Sequence, residues 1–171
     1  MSILNVSMYF ITYSVLGWAM EIILCSLSKG KLIERGFLKG PYCPIYGIGC
    51  LLILTVTGQF VLNPFYVFIL SMIVTSALEF FSGYALEELF GQRWWDYSDH
   101  KYNLMGHICL KNAIAFGVLS LLIFYIVHPY VLISLSYLSY YFKALLVSFA
   151  VLCMAIDFLT ALKKIYVMKE Q

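Results

Sequence analysis

A chain of 171 residues that is 63% apolar, 18% aromatic and only 12% charged lies outside the range of soluble domains, where about 45 to 50% apolar and about 25% charged residues are usual. The composition predicts an all-α integral membrane protein forming a single membrane domain over residues 1–171. The net charge of +2 comes from basic residues scattered over short connectors, which excludes a nucleic-acid partner, and the five cysteines lack the close pairing of a zinc or redox centre.

Ile3 to Leu27 is one apolar run broken only by Glu21. At about 1.5 Å per residue it can cross a hydrocarbon core of about 30 Å. The first lysine is Lys29, so no cleavable leader is expected. Lys29, Lys31, Arg35 and Lys39, with glycines at 30, 36 and 40, form a polar connector. The second helix is predicted over 42–62, with Pro44 in its first turn, where a missing N–H costs little. After Asn63-Pro64 a third helix spans 65–90 and carries Glu79 and Glu87-Glu88. The polar run RWWDYSDHKYNLMGHICL follows, from Arg93 to Leu110. A fourth helix is expected over 106–127, stopped at His128-Pro129, and a fifth over 138–166, holding Lys143 and Asp157.

Five crossings place ten of the eleven basic residues on one face. The positive-inside rule then sets the amino terminus outside, the carboxyl terminus inside and both polar loops in the cytoplasm. Lys143 is the exception, and its long stem can snorkel.

Leu38-x-Gly40-x-x-Cys43 and Leu104-x-Gly106-x-x-Cys109 match in spacing at a lag of 66 residues, and Glu21 and Glu87 share that lag. A parallel repeat of units 3–62 and 65–127 with a fifth helix added accounts for the matches. Chance in so biased a chain accounts for them equally.

At about 100° per residue, Ser14, Gly17, Glu21, Cys25 and Ser28 share a stripe, as do Ser76, Glu79, Gly83 and Glu87, and Ala150, Cys153, Asp157, Ala161 and Lys164. Such faces should turn inward, since a central charge in lipid costs about 2.5 to 3.5 kcal/mol. The ligand-binding candidates are Glu21, Glu79, Glu87, Arg35, Arg93, Trp94, Trp95, Asp96, Tyr97, Asn103 and Asp157. Glu21 and Glu79 are expected to share one polar pocket beneath the tryptophan pair, with Arg35 or Arg93 reaching in and lowering a carboxyl pKa by about 1 to 3 units. Ion pairing at the helix ends is the plainer alternative, and paired tryptophans commonly anchor at the headgroups. His100 and His107 beside Asp96 and Asp99 could ligate a metal in principle, but a hydrogen-bonded loop histidine is commoner; no metal or cofactor is expected. No G-x-x-x-x-G-K-[ST], G-x-S-x-G or H-E-x-x-H occurs, so the chain is expected not to be an enzyme and not to hydrolyse nucleotides.

RWWDYS followed by N-x-x-G-x-I-C-L, with RGFLKGPYCPIYGIG from Arg35 to Gly49, resembles the bacterial ABC-transporter type IV, permease-like membrane family, over roughly residues 9 to 120. Phe116-Gly117 stands where that family often has Trp-Gly. The resemblance implies a multi-pass permease of the bacterial inner membrane, handling a small solute or lipid-like ligand, with any ATPase on a separate chain. Membrane lipid and a second copy of the chain are further expected partners. The rival readings are a small enzyme acting on a lipid headgroup through Arg93, Asp96 and His107, and a structural or regulatory subunit.

Overall fold

The computed structural model describes residues 2–29, 37–58 and 62–169. Arg35, with Lys31 and Glu34, lies outside the described residues. Among those described are six α-helices: α1 (Ile3–Lys29), α2 (Pro44–Thr57), α3 (Pro64–Phe90), α4 (Leu110–Leu122), α5 (His128–Ser136) and α6 (Tyr140–Lys169). A β-ribbon joins β1 (Asn103–Leu104) to β2 (Ile108–Cys109). Among the described residues, four stretches are long and apolar enough to cross a membrane: Ile3–Leu27, Pro64–Phe90, Leu110–Ser136 and Tyr140–Ile165. The helix expected over 42–62 starts two residues later, and residues 59–61 near its expected end lie outside the described residues. α2 has 14 residues, a rise of about 21 Å. The Cys43 N–H bonds the Ser14 carbonyl at 2.8 Å, so regular helix begins only at Pro44.

The chain divides into two compact units, Met1–Gly47 with Tyr137–Gln171, and Ile48–Ser136. In the first, α1 and α6 run parallel. The Lys143 ammonium donates to Asn5 Oδ1 at 3.3 Å near the start of both helices. Beyond the end of α1, the Asp157 carboxylate on α6 accepts the Lys39 and Gly40 N–H groups, each at 2.8 Å. Lys143 thus has a protein partner where the sequence predicts snorkelling. The first turn of α2 lies against the middle of α1, since a Cβ on Gly47 would come within 2.6 Å of the Phe10 carbonyl oxygen. Close backbone approach of this kind is what small residues permit between membrane helices.

In the second unit α3 and α4 form an antiparallel hairpin. Asn63 caps α3, its side chain accepting from the Phe65 and Tyr66 N–H groups, with Pro64 at the first helical position, as expected for a residue whose missing donor would be unsatisfied there anyway. Ile53, Val67 and Phe124 form a small core with Leu54 and Leu121 against it, and a Cβ on Gly117 would meet the Phe68 ring at 2.6 Å.

Two boundaries of the predicted fourth helix are corrected. Its start moves from 106 to Leu110, because Met105 (φ 54°) and Gly106 (φ 74°) are left-handed and the His107 N–H bonds the Leu104 carbonyl at 3.1 Å. Positive φ at both central residues is the signature of a type I′ hairpin turn. Its end moves from 127 to Ser136, because the chain passes through Pro129 by way of a π-turn, Ile123–Val127. The His128 N–H reaches back to the Ile123 carbonyl, five residues away. The widened turn offers a place for a ring that would collide with the carbonyl four residues before it in a regular helix.

The two L-x-G-x-x-C corners share position but not conformation. Cys43 directly precedes α2 and Cys109 caps α4, yet Gly106 is left-handed and Gly40 is not among the positive-φ residues. At the lag of 66, burial differs at some places, since Met8 and Ser14 are buried while Val74 and Phe80 are half-buried, and agrees at others. Tyr9, Tyr13 and Gly17 are buried on α1, and Thr75, Glu79 and Gly83 are buried at the corresponding places on α3.

Candidate functional site

The polar loop 91–109 in the second unit is held by its own side chains. α3 ends at Gly91 (φ 68°), whose N–H returns to the Glu87 carbonyl. Two residues on, Arg93 Nε donates to Glu87 Oε1 at 2.7 Å and its terminal nitrogen to Asp96 Oδ1 at 3.5 Å. Asp96 also accepts the Ser98 N–H at 2.9 Å and hydroxyl at 2.6 Å. The Ser98 hydrogen bonds, with Arg93 adding to them, hold the Asp96 carboxyl below the usual carboxylate range. Asn103 staples the loop: its amide donates to the Ser98 and His100 carbonyls and its oxygen accepts the Gly106 N–H.

Beneath this lid two α3 carboxylates face the loop. Glu79 is 7% exposed, and the Tyr97 hydroxyl donates to its Oε1 at 2.9 Å. Asn112, in the first turn of α4, stands near enough to the same phenol to act on its ionisation. Burial, and then the Glu79 charge, push the Tyr97 phenol well up, with Asn112 pulling the other way. Eight residues and about two turns further along α3, Glu87 Oε2 lies 3.2 Å from His107 Nε2. The imidazole is 2% exposed, with Phe80 and Tyr84 edge-on to it. The Trp95 indole N–H donates to the His107 carbonyl at 2.9 Å. Gly83 makes room for both rings, since a Cβ there would stand 3.0 Å from His107 Nδ1 and from the Trp95 ring.

Of the sequence candidates, the structure therefore brings Glu79, Glu87, Arg93, Trp95, Asp96, Tyr97 and Asn103 into one constellation. Trp94 packs edge-on to Phe90 beside it. The arginine partner is different from the expected one: Arg93 pairs with Glu87 and Asp96, while Glu79 is met by a phenol. Asp157 serves the first unit, where it also accepts the Tyr42 hydroxyl at 3.1 Å; burial and the Asp157 hydrogen bond raise the Tyr42 phenol to about 12. Glu21 is half-buried on α1 in that same unit, and the expected pocket joining it to Glu79 would draw on both units. His107, which the sequence offered only for a metal site or the rival enzyme reading, and Asn112 join the constellation. Asn112 carried a signal, being an amide in the first turn of an apolar helix.

A family model described as "Putative ABC-transporter type IV" matches residues 8–162. The chain belongs to this family. The matched range takes in every described residue of the constellation, all of the second unit and most of the first. No curated protein and no solved structure matches the chain.

Proposed function

We propose that this member of the family is a permease-like membrane component that binds a small solute or lipid-like ligand at the Glu79–Tyr97 and Glu87–Arg93–His107 groups, with ATP hydrolysed by a separate chain. One observation carries the reading. A carboxylate eleven residues inside a membrane-length helix, buried and engaged by a loop phenol, is costly to place in a membrane and marks function by default. The rival headgroup enzyme is less well supported, because His107, its only base with a carboxylate partner among the described residues, is shut away at 2% exposure. Native mass spectrometry of the protein taken from membranes tests the proposal. Glu79→Gln should lose the co-purifying small molecule, whereas Glu88→Gln, at an exposed position, should keep it. Equal retention in both variants would remove the site.

The orientation we propose is amino terminus outside and carboxyl terminus inside. Parallel α1 and α6 require an odd number of crossings between them. α3 and the α4–α5 stretch supply two, so parity favours α2 as the third despite its length, with local thinning of the bilayer. In a cysteine-free background, Leu62→Cys should react with an impermeant maleimide from outside and Asp99→Cys only from inside. Labelling of Leu62→Cys from the cytoplasm alone would reverse the assignment.

A further inference from the structure

At the same loop a groove of about 420 Å³ is lined by His100, Lys101, Tyr102, Leu110, Lys111 and Ile114. Its rim is basic and its floor apolar. It also opens onto a track. Leu110, Ile114, Val118 and Leu122 are all 45 to 58% exposed, and their spacing of four residues sets them in one row down α4. The row is about 18 Å long at 1.5 Å per residue and belongs to a stretch of membrane-spanning length. The connector between two such stretches, α3 and α4, lies at a membrane surface, so the lysines stand at headgroup height and the row descends among acyl chains.

The backbone holds this shape at a cost. Tyr102 is left-handed (φ 55°), a conformation that costs a non-glycine residue roughly 1–2 kcal/mol, and it leaves the ring 80% exposed. Its carbonyl accepts the Leu110 N–H at 3.1 Å, tying the groove wall to the first residue of α4. An exposed tyrosine between lysines, at the mouth of an apolar row, suits the boundary between headgroups and hydrocarbon.

We infer that this groove is a binding site for an anionic phospholipid, with the headgroup phosphate between Lys101 and Lys111 and one acyl chain along Leu110, Ile114, Val118 and Leu122. The site goes beyond the permease reading and uses none of the residues on which that reading rests. A lipid bound here would abut the loop that covers Glu79, as a fixed part of the protein's surface.

Delipidated full-length protein, offered phosphatidylglycerol and phosphatidylcholine in equal amounts, tests the assignment by native mass spectrometry. Each basic residue near an anionic surface contributes about fivefold to binding. Lys101→Gln/Lys111→Gln should therefore weaken phosphatidylglycerol retention about thirtyfold. Lys163→Gln/Lys164→Gln, which removes the same charge from the exposed end of α6, should leave it nearly unchanged. Ile114→Asn should weaken long-chain phosphatidylglycerol but not its dihexanoyl analogue. Equal loss in the two lysine pairs, equal retention of phosphatidylcholine, or full displacement by inorganic phosphate would each overturn the site. The last would mark a free-phosphate site instead of a lipid one.

Discussion

Gly106→Ala is expected to destabilise the protein by about 3 kcal/mol, while Gly91→Ala costs about 1. Both glycines are left-handed, at φ 74° and 68°, so both substitutions carry the backbone penalty of roughly 1–2 kcal/mol. The surroundings differ. A Cβ on Gly91 meets nothing within 4 Å, whereas one on Gly106 stands 2.5 Å from Ser98 Oγ, 2.6 Å from an Arg93 nitrogen and 2.7 Å from Asp96 Oδ1. The backbone cannot retreat, because the Gly106 carbonyl accepts the Tyr97 N–H at 2.8 Å and its own N–H is held by Asn103. Overpacking of this kind typically adds about 1–3 kcal/mol. Unfolding titrations in mixed micelles, followed by tryptophan fluorescence, measure both variants. Equal losses would show that the loop cluster does not resist the added methyl group.

Tyr97→Phe is expected to cost about 2 kcal/mol, in the range for a hydrogen bond to a charged group when one partner is removed (about 1.5–3 kcal/mol). The phenol is the polar cover over Glu79, and a phenylalanine ring fills the same space without a donor. In a double-mutant cycle with Glu79→Gln, the two changes should couple by about 1 kcal/mol or more, since each removes the same 2.9 Å contact. Strict additivity would mean that the carboxyl takes its support from elsewhere.

The long helices were legible because membrane-length apolar runs leave little else for the backbone to do: without water, each N–H and C=O must be satisfied within the segment. What composition hides is where an apolar run stops being helix. Residues 106–109 look like helix by hydropathy, but Met105 takes a left-handed conformation usually reserved for glycine or asparagine. Pro129 reads as a terminator by itself, and only the π-turn before it makes room. The carboxylates of the site stood out as charges in oil. Tyr97 was among the partners the sequence offered Glu79, but the choice of Arg93 was not legible, because whether it turns to Glu87 or Glu79 depends on how the chain leaves Gly91, and a buried His107 depends on Gly83 two turns from the helix end.

The passage through Pro129 has a geometric consequence for the rest of its helix. A π-turn holds one residue more than an α-turn, so everything after Val127 is rotated by about 100° from the phase that Leu110–Leu122 would have imposed. Gly117, Ser120 and Phe124 are buried before that phase change and Val131 after it. The helix thus has two inward faces with different addresses, and length matters more here than identity. Exchanging one apolar residue for another within Ile123–Val127 keeps both faces. Removing one would close the turn into regular helix with Val131 still in phase, and press the proline ring onto the carbonyl behind it.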